Sequence, residues 1–254
     1  MRRLLLTLLF LPLLLSCVEQ EKVRCAQYIA HAGGAIDSCI YTNSLEALEL
    51  ATANGYQFIE LDLIFTSDSV LIAAHSWEDF NAMTDCSHKR DTAPTYSEFM
   101  RRRIHGRYTP LSAEDINRFF LSHPNLFLVT DKVSSPDVLE QYFPNLKQRM
   151  VVEAFSYPHY TQLNKQGYYR VLYSCMAQDL SSALVKHLLF NKFTKGEKIE
   201  WIALHTSGFN NSMFKFLNTT CRFNVALFTV DHLDSIPPKH RDRVGMIYTN
   251  YLLP

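Results

Sequence analysis

A (β/α)8 barrel is the fold this 254-residue sequence predicts, because eight short apolar runs alternate with helix-patterned stretches and no linker or repeat divides them. Strands are expected at residues 28–31, 57–63, 126–131, 150–154, 169–173, 201–205, 223–229 and 245–249. Helices are expected at 44–53, 112–122, 136–143, 158–166, 180–191 and 213–218. Strands joined by crossover helices pair in parallel, and about 230 residues after the leader is the usual size of a closed eight-stranded sheet. An open doubly wound sheet is the alternative. A composition 47% hydrophobic and 20% charged supplies one large core.

Local signals support the elements. Ser44 offers an N-cap hydroxyl before Leu45, Leu48 and Ala51 at helical spacing, and Gly55 stops that helix. Ser112-Ala113-Glu114-Asp115 repeats the logic at a second helix start. One connection, residues 76–111, is long enough to be a functional cover, and its Trp77, Phe80 and Tyr96 would suit either a lid over an apolar substrate or plain loop packing.

Residues 1–16 carry Arg2-Arg3 and an apolar run from Leu4 to Leu15, shorter than the roughly 20 residues a spanning helix needs. This is an export signal, and Leu14-Leu15-Ser16-Cys17 resembles the bacterial lipobox, which implies cleavage before Cys17 and acylation of its thiol. The expected organisation is a leader at 1–16, a lipidated tether at 17–27 and a single catalytic domain at 28–254. The expected location is the bacterial cell envelope, with simple secretion as the alternative. Five cysteines remain after Cys17, so at least one stays unpaired, and Cys39 with Cys86 is the expected disulfide of an exported protein. Twenty-five basic side chains balance twenty-five acidic ones, which leaves no net field for a nucleic acid. A monomer that binds no nucleic acid is the expectation.

The chemistry concentrates at strand ends. Ile29-Ala30-His31-Ala32-Gly33-Gly34 closes an apolar strand on an imidazole followed by glycines that let backbone approach a ligand. In Phe58-Ile59-Glu60-Leu61-Asp62-Leu63, strand periodicity puts Glu60 and Asp62 on one face. Burying both requires a cation, and Asp131, ending the next apolar strand, adds a third oxygen donor; such a set suits Ca2+ or Mg2+ better than zinc. A turn at Thr66-Ser67-Asp68-Ser69 then leads into Val70-Leu71-Ile72-Ala73-Ala74-His75, a hairpin strand ending in a second histidine.

This ordered set resembles the glycerophosphodiester phosphodiesterase family, on His31-Ala32-Gly33, Asn43-Ser44, Glu60-Leu61-Asp62, Thr66-Ser67-Asp68-Ser69 and His75. The resemblance is close over residues 29–75, weaker at 126–132 and faint beyond. It implies a barrel with its site at the carboxyl ends of the strands, a metal on Glu60, Asp62 and Asp131, and acid–base catalysis by His31 and His75, with the division of labour between them open. Substrate contacts are expected from Gly33, Asn43, Lys132, Glu153 and Tyr173, while His205, Thr229 and Asn250 are further strand-end groups. A lone histidine such as His205 is usually a satisfied core residue. Two departures stand out. Ala32 replaces the arginine that in the family contacts phosphate, and Lys132 directly follows Asp131, so strand parity points it away unless a bulge re-aims it, leaving Lys89 or Arg90 as substitutes. The rival readings are a phospholipase acting on phosphoinositide- or sphingomyelin-type lipids, and a catalytically silent lipoprotein that binds ligands at the cell surface.

Overall fold

A computed structural model describes residues 26–175, 199–209, 223–236, 241 and 244–254. The leader, Cys17 and the helices expected at 180–191 and 213–218 lie outside the described residues. The strands are β1 (Gln27–Ala30), β2 (Phe58–Phe65), β3 (Leu71–Ala73), β4 (Phe127–Asp131), β5 (Met150–Ala154), β6 (Arg170–Cys175), β7 (Trp201–His205), β8 (Asn224–Phe228) and β9 (Val244–Thr249). Their order is β1-β9-β8-β7-β6-β5-β4-β2-β3, and a further pairing of β1 with β2 closes the sheet into a barrel of eight parallel strands. The open-sheet alternative is thereby excluded.

Between strands run α1 (Leu45–Ala53), α2 (Trp77–Met83), α3 (Tyr96–Arg101), α4 (Ala113–Ser122), α5 (Pro136–Tyr142) and α6 (Tyr157–Lys165). Ser44 caps α1 by accepting from the Ala47 amide, and Ser112 with Asp115 forms a reciprocal capping box at α4. The antiparallel strand β3 pairs with the outer end of β2 through Leu63–Ala73 and Phe65–Leu71, after a turn in which Thr66 hydrogen bonds Asp68 at 2.7 Å.

Strand parity builds two separate apolar layers. Ile29, Phe58, Val129, Val151, Leu172, Ala203, Ala226 and Met246 fill the barrel interior, while Ile59, Leu61, Leu128, Val152, Val171, Ile202, Leu227 and Ile247 face the helices. Each aliphatic side chain so removed from water contributes about 1.5–3 kcal/mol. The inner layer stops short of the carboxyl ends of the strands, and the polar residues one step further along each strand are left facing a cavity.

The segment 76–111 is not a lid. It folds into α2 and α3, which bury Phe80, Phe99, Ile104 and Tyr108 in a satellite core with Trp77 and Tyr96 packed against it. Its aromatic side chains are thus consumed by their own packing, and none lines the cavity. Cys39 and Cys86 are both free thiols, which corrects the expected disulfide. The Cys39 thiol turns toward the Asp37 carbonyl at 3.8 Å, and Cys86 is tied by its amide to Asn81 at 2.7 Å on a different loop.

Gly245 shows how tightly the sheet is packed: a Cβ there would stand 2.6 and 2.9 Å from atoms of the Trp201 ring. Gly245→Ala is expected to lower the unfolding free energy by about 1–3 kcal/mol, the usual effect of overpacking. A urea midpoint identical to the parent's would show instead that the indole can move aside freely.

Candidate active site

Neighbouring strands bring the acids together. Asp62 and Asp131 are Cα partners across the β2–β4 ladder, and Glu60 lies two residues earlier on the same face of β2. One carboxylate oxygen from each of the three lies within 4.8 Å of the others. Each acid is held from behind. Glu60 Oε2 accepts from the Ala32 amide at 2.7 Å, Asp62 Oδ2 from Asn43 Nδ2 at 3.0 Å, and Asp131 Oδ1 from the Lys132 amide at 2.6 Å. Asn43 also accepts from the Asp62 amide at 3.0 Å, so this buried amide clamps one ligand in two directions.

The electrostatics oppose three negative charges at this spot. Glu60 and Asp62 are each only 1% exposed, and burial together with the charges of Asp62 and Asp131 pushes Glu60 well above the usual carboxylate range. Glu60 Oε1 is buried without a hydrogen-bond partner. An orphaned carboxylate oxygen beside two further acids fits a hard divalent ion, for which oxygen donors are the preferred set. These three side chains therefore could hold one.

Lys132 corrects the parity expectation. Its backbone adopts the left-handed φ of +66°, closed by a Val133-to-Asp131 hydrogen bond of 2.8 Å, and this swings the ammonium to 3.2 Å from Asp62 and 3.7 Å from Asp131. Lys89 pairs with Glu98 at 3.9 Å instead, and neither Lys89 nor Arg90 reaches the cavity.

The two imidazoles are prepared differently. His31 Nδ1 lies 3.2 Å from Asn250 Oδ1, and Asn250 Nδ2 donates to Asp231 at 2.9 Å. That second bond fixes which end of the amide faces the ring, so His31 donates through Nδ1 and keeps the Nε2 lone pair. Burial holds His31 below its ordinary value, against the opposing pull of Asp62 and of the Asn250 bond. His75 stands just beyond β3, where Ala74 donates to the Asp62 carbonyl at 2.9 Å. Its Nδ1 meets the Asp79 carboxylate at 2.6 Å. Burial alone would raise Asp79, but the bonds from His75 and Ser76 outweigh it and hold the group ionised.

The three acids, Lys132 and both imidazoles border a cavity of about 500 Å3 lined also by Tyr41, Glu153, Phe155, Ser174, His205, Phe228, Thr229 and Tyr248. Glu153 accepts from the Tyr248 hydroxyl at 2.5 Å. Burial and the neighbouring Asp131 push Glu153 up to about 8.

Three expected contacts lie elsewhere. Tyr173 belongs to the opposite face of β6 and packs on Tyr160 among the helices, while Ser174 occupies the cavity side. Gly33, at φ +86°, lets the turn pass α1, since a Cβ there would meet Ala47 at 3.0 Å, and it lies outside the main cavity. Asn43 is fully buried behind Asp62. Conversely, His205 is no core residue: it is exposed, its Nδ1 is 2.8 Å from Ser207 Oγ, and it lines the cavity with Thr229. Asn250 contributes through His31. Sequence reasoning passed over Tyr41, Asp79 and Ser174, and a carboxylate four residues after a strand-end histidine was the one available signal.

The glycerophosphoryl diester phosphodiesterase family profile matches residues 31–185, and the chain belongs to that family of phosphoric diester hydrolases. No curated protein matches it in sequence. Among solved structures, the fold is similar to an Oleispira antarctica phosphodiesterase in complex with the product sn-glycerol-3-phosphate, at 16% identity and a TM-score of 0.64, covering 89% of this chain and 94% of that one. It is similar as well to a Parabacteroides distasonis glycerophosphodiester phosphodiesterase, with 16% identity, TM-score 0.62 and coverage of 89% and 93%. A Thermotoga maritima glycerophosphodiester phosphodiesterase matches at 14% identity, TM-score 0.62 and coverage of 89% and 94%.

In the metal-free protein, Glu153 predicts a pH effect. Its folded value near 8 exceeds the usual 4.5, so the folded state binds more protons than the unfolded state between those values, and stability declines as pH rises through that window. Glu153→Gln should flatten this decline in denaturant titrations run from pH 5 to 8. An unchanged slope would place the effect elsewhere.

Proposed function

We propose that this protein hydrolyses glycerophosphodiesters to glycerol phosphate and an alcohol by acid–base catalysis at the strand-end cavity. The observation that carries this is the meeting of three acids, two of them buried, with two imidazoles backed by different partners, in a chain of this family. Glu60, Asp62 and Asp131 would hold Ca2+ or Mg2+, which when bound neutralises charge on the phosphoryl oxygens. Lys132 adds a point charge beside that set.

His31, neutral and carrying its proton on Nδ1, takes the proton of the attacking hydroxyl or water through Nε2. Asn250 and Asp231 keep the ring in that tautomer. His75, oriented through Nδ1 by Asp79, gives a proton to the departing alkoxide. Glu153, protonated near neutrality and bound to Tyr248, is placed to hydrogen bond a substrate hydroxyl. The silent-lipoprotein alternative loses support, because Lys132 is not displaced from the site.

We propose further that Cys17 anchors the protein in the bacterial envelope, on the strength of Leu14-Leu15-Ser16-Cys17. Metabolic labelling with radioactive palmitate should mark the parent and not Cys17→Ser; equal labelling of both would remove the anchor.

His31→Ala and His75→Ala should each lower turnover of a glycerophosphodiester by about 10²-fold or more. Excess chelator should abolish activity, and added Ca2+ or Mg2+ should restore it. Because the base must be deprotonated, the acidic limb of kcat/KM should fall at a pH below the ordinary histidine value of 6.5. Full activity in either histidine variant, with an intact fold, would remove that residue from the mechanism.

A further inference from the structure

Tyr41 is the one aromatic side chain among the described residues that touches both catalytic imidazoles. Its ring centroid is 4.9 Å from that of His31 at an interplanar angle of 75°, and 4.5 Å from that of His75 at 44°. The ring therefore fills the gap between the two proton-transfer groups and forms part of the cavity wall.

The backbone underneath is held against its preference. Tyr41 has φ +60°, a conformation that bulky residues avoid, within a loop where Asp37, Ser38 and Asn43 also have positive φ. Several bonds hold this loop in place. Asp37 accepts from the Tyr108 hydroxyl at 2.8 Å and pairs with Arg107 at 3.1 Å, and the Asn43 amide donates to the Ala32 carbonyl at 3.1 Å. Backbone strain retained beside a reactive centre points to a role in it.

The hydroxyl has a job available. A phosphodiester entering the cavity carries an anionic oxygen, and the usual arginine is absent at Ala32, whose own amide is already given to Glu60. The Lys132 ammonium is shared between Asp62 and Asp131. Thr229 draws the Tyr41 phenol toward its ionised form. Burial, Asp62 and Glu60 pull more strongly the other way and keep the phenol protonated. The protonated phenol lines the cavity, where it can donate to a ligand.

We propose that Tyr41 is a substrate-binding residue that donates its hydroxyl to a non-bridging phosphoryl oxygen, taking the place of the arginine missing at Ala32, and that its ring spaces His31 and His75. This rests on the hydrolase reading above, and a binding measurement separates the two. Binding of sn-glycerol 3-phosphate by calorimetry, and hydrolysis of a glycerophosphodiester, are compared in the parent, Tyr41→Phe and Tyr41→Leu, with unfolding midpoints checked for each.

Tyr41→Phe keeps the ring and should weaken both Kd and KM about tenfold or more, the scale of one hydrogen bond to a charged group. KM should rise by a larger factor than kcat falls. Tyr41→Leu should in addition lower kcat and shift the limbs of the pH–rate profile, because the imidazoles lose their spacer. Parental Kd and KM in a folded Tyr41→Phe would overturn the proposal. Should the parent bind sn-glycerol 3-phosphate and hydrolyse nothing, the hydrolase reading falls, and the Kd of Tyr41→Phe still decides the role of Tyr41.

Discussion

Repulsion among three close carboxylates, two of them buried, is the constraint around which this molecule is arranged. Glu60, Asp62 and Asp131 are placed side by side by the parallel pairing of β2 with β4, and neither burial nor their mutual charge favours ionising all three. The fold answers with donors from three directions: the Ala32 amide, the Asn43 side chain and Lys132. One oxygen of Glu60 is left without a donor, so the compensation within the protein is incomplete. That shortfall is what makes the cluster receptive to a divalent ion.

The same economy of backbone geometry recurs around the rim. Ala32, Tyr41, Asn43 and Lys132 all lie at positive φ, in the connections that follow β1 and β4. Such positions cost stability, so surrounding contacts must fix them. Here the rigid barrel supplies that fixation: strand ends carry the three acids, and the connections add His31, Tyr41, His75 and Lys132. The antiparallel strand β3 serves the same end by delivering His75 alongside Asp62.

The two histidines show how supporting groups divide labour between identical side chains. An amide carbonyl backs His31 and a carboxylate backs His75, an asymmetry that suits the two different roles proposed for them. The partners come from opposite ends of the chain: Asp79 is four residues from His75, whereas Asn250 is 219 residues from His31. Only the closure of β1 against β9 brings the latter pair together.

Much of the fold and the heart of the site were legible in the sequence alone. The eight strands, the pairing of Glu60 with Asp62 on one face and the strand-end positions of His31, His75 and Asp131 follow from local periodicity, which needs only a few neighbouring residues to express itself. The side on which β6 presents Tyr173 or Ser174 did not, because a barrel strand is buried on both faces and alternation carries no polarity signal there. The redirection of Lys132, the free thiols of Cys39 and Cys86 and the seat of Tyr41 between two imidazoles depend on left-handed turns and on loops packing against distant elements. Those were decided by the tertiary structure, since no local pattern encodes which far part of the chain a loop will meet.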